Sequence, residues 1–138
     1  MADDVANASI SVMSSGALLA YVASAVLLAW GFAHLFPTRA VAASFGAITP
    51  DNRRILIMEW VAEGITHVSI GLLVILVTAI EGADNAATQL VYVVSAGILL
   101  VLAALTAMTG ARTSVIWFRV CPFVLTSAAV LLCLASIA

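Results

Sequence analysis

Three ionisable residues recur at four-residue intervals inside one long apolar stretch: Glu59, Glu63 and His67. On an α-helix, residues four apart lie on one face and drift by only ~40° per step, so the three side chains point towards one neighbouring volume. Two carboxylates and an imidazole could exchange a proton there, or bind a cation or the polar group of an amphipathic ligand. We therefore treat these residues as a candidate ligand or proton site.

The depth of these side chains in a bilayer decides how costly their charges are. If hydrocarbon begins near Ile55, a rise of ~1.5 Å per residue places Glu59 at ~6 Å, Glu63 at ~12 Å and His67 at ~18 Å. A charge near the middle of the bilayer costs at least ~2.5 kcal/mol on insertion scales, so such residues usually face protein or water and often mark function. Glu63 and His67 are accordingly expected near the midplane.

Two residues from other apolar stretches, His34 and Arg119, are candidate partners at similar depth. Arginine stays protonated and its planar guanidinium suits a bidentate contact, so Arg119 is the predicted charge partner of Glu59 or Glu63. One carboxylate then remains, and its charge can be removed by protonation, by an imidazolium at His34 or His67, or by a bound cation. A purely structural network of the same residues is the competing interpretation.

The sequence assigns no catalytic residue, metal ligand or cofactor. Glu-x-x-x-Glu-x-x-x-His differs from the Glu-x-x-His spacing of di-iron bundles. A haem between His34 and His67 is disfavoured, because their expected depths of ~3 Å and ~18 Å differ. Cys121 and Cys133 are about 18 Å apart along one helix, too far for a disulfide, and are interpreted as small apolar residues.

The composition of the chain predicts the helices that must position these residues. The chain has 138 residues, of which 64% are hydrophobic and 9% charged, unlike the usual balance of a soluble domain. Four apolar stretches are each long enough for the ~30 Å hydrocarbon layer, and they lie at 15–36, 55–80, 88–109 and 113–137. The sequence predicts one all-α domain, a four-helix transmembrane bundle.

The distribution of charge predicts how this bundle sits in its membrane. All five basic residues lie in or beside two loops: Arg39, Arg53, Arg54, Arg112 and Arg119. By the positive-inside rule these loops face the cytoplasm, so both termini and the turn at 81–87 face outward. Residues 1–4 are acidic, unlike the basic start of a secretory signal, so the first stretch is predicted to be a retained helix.

A likeness to a known family is carried by residues around the first loop. They read WGFAHLFP at 30–37, DNRR at 51–54, EW at 59–60 and EG at 63–64. This pattern resembles small bacterial four-helix membrane proteins, loosely of the DoxX-like group, over about residues 30–80. The resemblance implies a bundle in the bacterial inner (plasma) membrane and carries no activity.

Three functions remain open. The first is binding or transport of a proton, cation or small amphipathic ligand at a protonatable site, which for transport implies a homo-oligomer or partner subunit. The second is a non-catalytic accessory subunit of a larger membrane complex. An intramembrane enzyme acting on a lipid-soluble substrate is least favoured, because no nucleophile has an obvious base. Nucleic acid is not an expected partner, since the chain has no basic run.

Overall fold

The computed structural model describes residues 13–138, and this part of the chain is helical. The helices are α1 (Ser15–Leu35), α2 (Thr38–Ser44), α3 (Pro50–Glu81), α4 (Ala86–Met108) and α5 (Ile116–Ala135), with a 3-10 turn at Gly110–Arg112. All but α2 and the 3-10 turn are long and apolar enough to cross a membrane. The predicted all-α fold, with four helices long and apolar enough to span a membrane, is thereby confirmed. The acidic residues 1–4 lie outside the described range.

Local signals determine where α3 begins. The side chain of Thr49 accepts a hydrogen bond from the backbone N–H of Asn52, and Pro50 occupies the first helical turn. This arrangement satisfies an N–H group left free at the helix start and uses a residue that cannot donate one. Helix α3 therefore begins at Pro50, before the apolar stretch predicted at 55–80. Gly46 follows α2 with a φ of 70°. Glycine adopts this left-handed conformation at little energetic cost because it has no Cβ.

The long helices pack in the order α3, α1, α5, α4, so α1 contacts both α3 and α5, and α5 contacts α4. Helices α3 and α4 are also neighbours, but they contact each other much less than the other adjacent pairs do. Near the turn that joins them, the hydroxyls of Thr78 and Tyr92 are 2.5 Å apart. Towards the opposite end the seam widens into a cleft.

Glycines set the close approach and the register of α1 on α3. A Cβ added at Gly31 would lie 2.8 Å from the carbonyl oxygen of Gly64, and one added at Gly64 would lie 3.0 Å from the Cβ of His34. At the other end, a Cβ at Gly16 would lie 3.6 Å from the Cβ of Ala83. Helix α1 therefore covers α3 from Gly64 to the end of α3 at Glu81, and the first turns of α3 extend past the end of α1.

This register bears on the depths predicted from Ile55. His34 lies in the last turn of α1 and faces Gly64, so Glu63 lies beside the arginine-bearing end of α1. The 21 residues of α1 span about 31 Å, enough for the hydrocarbon layer by themselves. The depths predicted from Ile55 stay a prediction, since α1 and the apolar residues at 55–58 allow different membrane boundaries.

Candidate functional site

His34 and Glu63 meet where α1 and α3 approach each other. Nε2 of His34 is 3.9 Å from Oε2 of Glu63. Nδ1 of His34 is 2.9 Å from the carbonyl oxygen of Trp30 one turn earlier, which assigns a donating N–H to Nδ1 and directs Nε2 towards the carboxylate. The His34 side chain is 4% exposed and that of Glu63 is 24% exposed. Glu63 therefore connects a buried imidazole with a more open space.

Aromatic rings hold the imidazole of His34 in place. The ring of Trp60 stacks on it at a centroid distance of 4.5 Å, and Trp60 Nε1 donates to the His34 carbonyl oxygen at 2.5 Å. The rings of Trp30 and His67 each contact it edge-on at 5.4 Å. Trp60 itself is buried against His34. This packing restricts the orientation of the imidazole.

Cys121 joins this pair from α5. Its buried Sγ lies 3.6 Å from Oε1 of Glu63, to which the thiol donates. One donor atom each from His34, Glu63 and Cys121 lie within 4.8 Å of one another. The interpretation of Cys121 as a small apolar residue is therefore incomplete. Cys133 is exposed on the same helix and takes no part in this cluster.

His67 lies one turn beyond Glu63 and is fully buried. Neither of its ring nitrogens has a hydrogen-bond partner among the residues that the structure describes. A buried polar group left without a partner typically costs about 1 to 3 kcal/mol. The predicted separation of His34 and His67 in depth is wrong, because their rings are in direct contact and leave no room for a haem between them.

A cleft of about 360 Å³ lies between α3 and α4, within the usual size range of small-molecule sites. Glu59 and Glu63 lie on its α3 wall, and Thr106 lies on its α4 wall. Most other lining residues are apolar or aromatic: Leu56, Trp60, Ala62, Leu102, Leu105 and Phe118. The structure thus places both predicted carboxylates on one largely apolar cavity.

Arg119 lies away from the cluster. It is exposed on α5 and forms no ion pair within 4 Å in the described part of the chain. Cys121 faces Glu63, and a residue two positions earlier on the same helix lies about 200° away around the axis. The predicted contact of Arg119 with Glu59 or Glu63 is therefore not present.

Comparisons with family models, with curated proteins and with solved structures gave no match. The resemblance to the DoxX-like group stays a prediction. Function is therefore inferred from the cleft and the side chains around it.

Proposed function

We propose that the protein binds a small amphipathic cation in the cleft between α3 and α4. The observation that carries this proposal is the pair of carboxylates, Glu59 and Glu63, on a largely apolar wall. Within the described residues, the ionisable base within 4 Å of either carboxylate is His34, and no arginine lies within that distance. An ammonium group on the ligand would balance this charge, while its apolar chain would contact the aliphatic walls.

Threonine hydroxyls in the cleft, including those of Thr66 and Thr106, add acceptors for such a group. Thr66 donates its hydroxyl hydrogen to the carbonyl of Ala62, and Thr106 donates to that of Leu102, each at 2.8 Å. Their donor capacity is used within their own helices, so the oxygen lone pairs remain as acceptors. An ammonium group has hydrogen-bond donors and no acceptor. The polar lining therefore suits an amine better than a carboxylic acid.

The place of the cleft in the bundle supports entry from the lipid. Glu63 lies beside the arginine-bearing end of α1, at its last turn. A ligand seated there would hold its charged group at headgroup level and its chain in hydrocarbon. We infer that this end faces the cytoplasm of a bacterial inner membrane, because basic loops remain on that side. The ligand would then come from the cytoplasmic leaflet.

Binding of dodecylamine to the protein in phosphatidylcholine nanodiscs tests this function, with protein-free nanodiscs to correct for partitioning. We expect saturable binding that dodecanol does not displace. Glu59→Gln should weaken binding about tenfold or more, the loss expected for one charge-assisted hydrogen bond. Leu105→Trp should also weaken it by filling the cleft from the α4 wall.

Glu81→Gln is the matched control, because Glu81 lies at the opposite end of α3 and its carboxylate contacts Asn85. It should bind dodecylamine as the wild type does. Absence of saturable binding, or equal losses in Glu59→Gln and Glu81→Gln, would reject the proposal.

A second candidate is the accessory subunit, in which a partner's helix fills the same cleft. It is favoured by the exposed apolar face of α4 beside the open seam, which includes Leu100, Val101 and Leu105. The membrane itself also covers such a face, so this candidate ranks second. A partner that co-purifies in stoichiometric amount, and is released by Leu105→Trp, would favour the subunit over the amine-binding protein.

A further inference from the structure

We propose that His34, Glu63 and Cys121 form a binding site for a divalent cation of the zinc type. This site goes beyond the amine-binding function and does not depend on it. It shares Glu63 with the cleft, whereas His34 and Cys121 lie behind the cleft lining, buried among α1, α3 and α5.

The donor set and its spacing fit zinc. Imidazole nitrogen, thiolate sulfur and carboxylate oxygen are its usual ligands, at about 2.0 to 2.3 Å from the metal. Tetrahedral coordination at those lengths separates neighbouring donors by about 3.3 to 3.8 Å. Glu63 Oε1 lies 3.6 Å from Cys121 Sγ, and Glu63 Oε2 lies 3.9 Å from His34 Nε2. One donor atom from each of the three residues lies within 4.8 Å of the other two. Small side-chain shifts would therefore bring all three donors to bonding distance of one ion.

The imidazole is already oriented for coordination. A histidine ligand usually donates its second N–H to a carbonyl or carboxylate, which fixes the tautomer and turns the other nitrogen to the metal. Nδ1 of His34 makes this contact with the carbonyl oxygen of Trp30 at 2.9 Å. The stacked ring of Trp60 holds the imidazole plane. These two contacts leave the lone pair of Nε2 free to coordinate a metal ion beside Glu63.

Charge balance favours a dication over a monovalent ion. When the metal binds, the S–H bond of Cys121 breaks, a zinc–sulfur bond forms and the proton leaves to water. The thiolate and the Glu63 carboxylate then carry two negative charges, which a dication neutralises beside a neutral His34. A neutral complex avoids the high cost of an uncompensated charge in a buried setting.

A second observation at the same place points to a polar ligand. His67 is fully buried, its ring contacts that of His34 at 5.4 Å, and both its nitrogens lack a partner within the described range. Three protein ligands leave one position on a tetrahedral ion, which catalytic zinc sites fill with water or substrate. A ring movement of His67, or a water bound to the ion, would satisfy one of these nitrogens.

Zn²⁺ affinity and Co²⁺ absorption test the site in the metal-stripped protein in nanodiscs. We expect one Zn²⁺ per chain in competition with a fluorescent chelator, and a thiolate-to-cobalt absorption band with Co²⁺. Cys121→Ser and His34→Gln should each weaken Zn²⁺ binding about 100-fold or more, because losing a ligand costs at least as much as losing an outer-shell partner. Cys121→Ser should also lose the cobalt band.

Cys133→Ser is the matched control, because Cys133 is an exposed cysteine on the same helix. It should keep the affinity, the cobalt band and the thermal stabilisation by Zn²⁺. Wild-type affinity no greater than that of Cys121→Ser would overturn the proposal, as would a cobalt band that follows Cys133. A variant that misfolds is identified by its melting profile without metal. If Cys121→Ser misfolds, the Zn²⁺ affinity of His34→Gln decides the test.

Two variants separate this site from the amine-binding cleft. Leu105→Trp should lose dodecylamine and keep Zn²⁺, because Leu105 lies on the α4 wall of the cleft and is not part of the donor cluster. Cys121→Ser should lose Zn²⁺ and keep dodecylamine. If the wild-type protein binds Zn²⁺ but not dodecylamine, the metal site is supported and the amine-binding function is rejected. If it binds dodecylamine but not Zn²⁺, the amine-binding function is supported and the metal site is rejected.

Discussion

Glu63 belongs to both proposed sites, because its two carboxylate oxygens face different groups. Oε2 approaches His34, Oε1 accepts from Cys121, and the side chain also lines the cleft. The sequence predicts Glu63 and His34 because ionisable residues in apolar stretches stand out. Cys121 was missed because lipid is as apolar as the core, so periodicity did not reveal which face of α5 is buried. Exposed Phe123 is as hydrophobic as buried Leu125.

Arg119 shows the same limit of sequence-based prediction at the level of one residue. The sequence predicts that it lies towards the arginine-bearing end of the bundle, as the structure has it near the start of α5. The sequence did not predict which side of α5 carries Arg119, and in the structure this side chain is exposed. A long arginine side chain near a helix end can reach the headgroups while its methylene groups contact hydrocarbon.

Replacing Arg119 should therefore cost little. We expect Arg119→Leu to change the free energy of unfolding by no more than about 0.5 kcal/mol, as for an exposed position. Breaking a buried ion pair would instead cost about 3 to 5 kcal/mol. Equilibrium unfolding in mixed micelles, with Arg119→Leu/Glu63→Leu as the double variant, measures this. A large loss in the single variant that the double variant recovers would show that the two residues pair after all.

At the scale of elements, the start of α3 could be predicted and its register on α1 could not. Thr49 and Pro50 act on the adjacent helical turn, so three or four residues of sequence suffice to recognise them. Register depends on which small residues of two distant segments face each other. Gly31 and Gly64 meet at the α1–α3 contact, whereas Gly97 faces open space on α4. Their sequences alone do not distinguish these glycines.

Adding a methyl group at the contact should weaken the bundle. A Cβ at Gly31 would lie 2.7 Å from Val68 Cγ2 and 2.8 Å from the carbonyl oxygen of Gly64, so backbone must move. We expect Gly31→Ala to lower the free energy of unfolding by about 1 to 3 kcal/mol, the usual cost of overpacking. The shift should also move His34 away from Glu63 and lower Zn²⁺ affinity.

Gly97→Ala is the control for this change, because nothing lies within 4 Å of its added Cβ. It should be neutral or stabilise the protein by about 0.5 to 1 kcal/mol, since alanine favours a helix interior over glycine. Equal stability of the Gly31→Ala and Gly97→Ala variants would contradict the close contact of α1 and α3.

At the scale of the whole molecule, the two ends of the bundle differ in charge and shape. One end carries the arginines, the short helix α2 and the projecting first turns of α3. The other end has a short turn with Glu81 and Asp84. Composition predicts four spanning helices because no soluble domain could hide so much apolar surface. Charge adds a proposed orientation, since basic loops are translocated poorly.

Cysteine labelling in intact cells tests that orientation. Ser44 at the end of α2 and Asp84 in the opposite turn are both exposed. Asp84 is preferable to Asn85, whose side chain accepts from the N–H of Ala87 and caps α4. We expect an impermeant thiol reagent to label Asp84→Cys in intact cells and Ser44→Cys only after permeabilisation. Labelling of the parent, which contains Cys121 and Cys133, gives the background.

The labelling result also decides from which leaflet a ligand can reach the cleft. Glu63 lies beside the last turn of α1, on the same end as α2, so the side on which Ser44 is labelled is also the side of the carboxylates. Labelling of Ser44→Cys without permeabilisation, with Asp84→Cys protected, would place the arginines outside. The cleft would then admit ligands from the outer leaflet, and the dodecylamine and Zn²⁺ sites would face the cell exterior with their geometry unchanged.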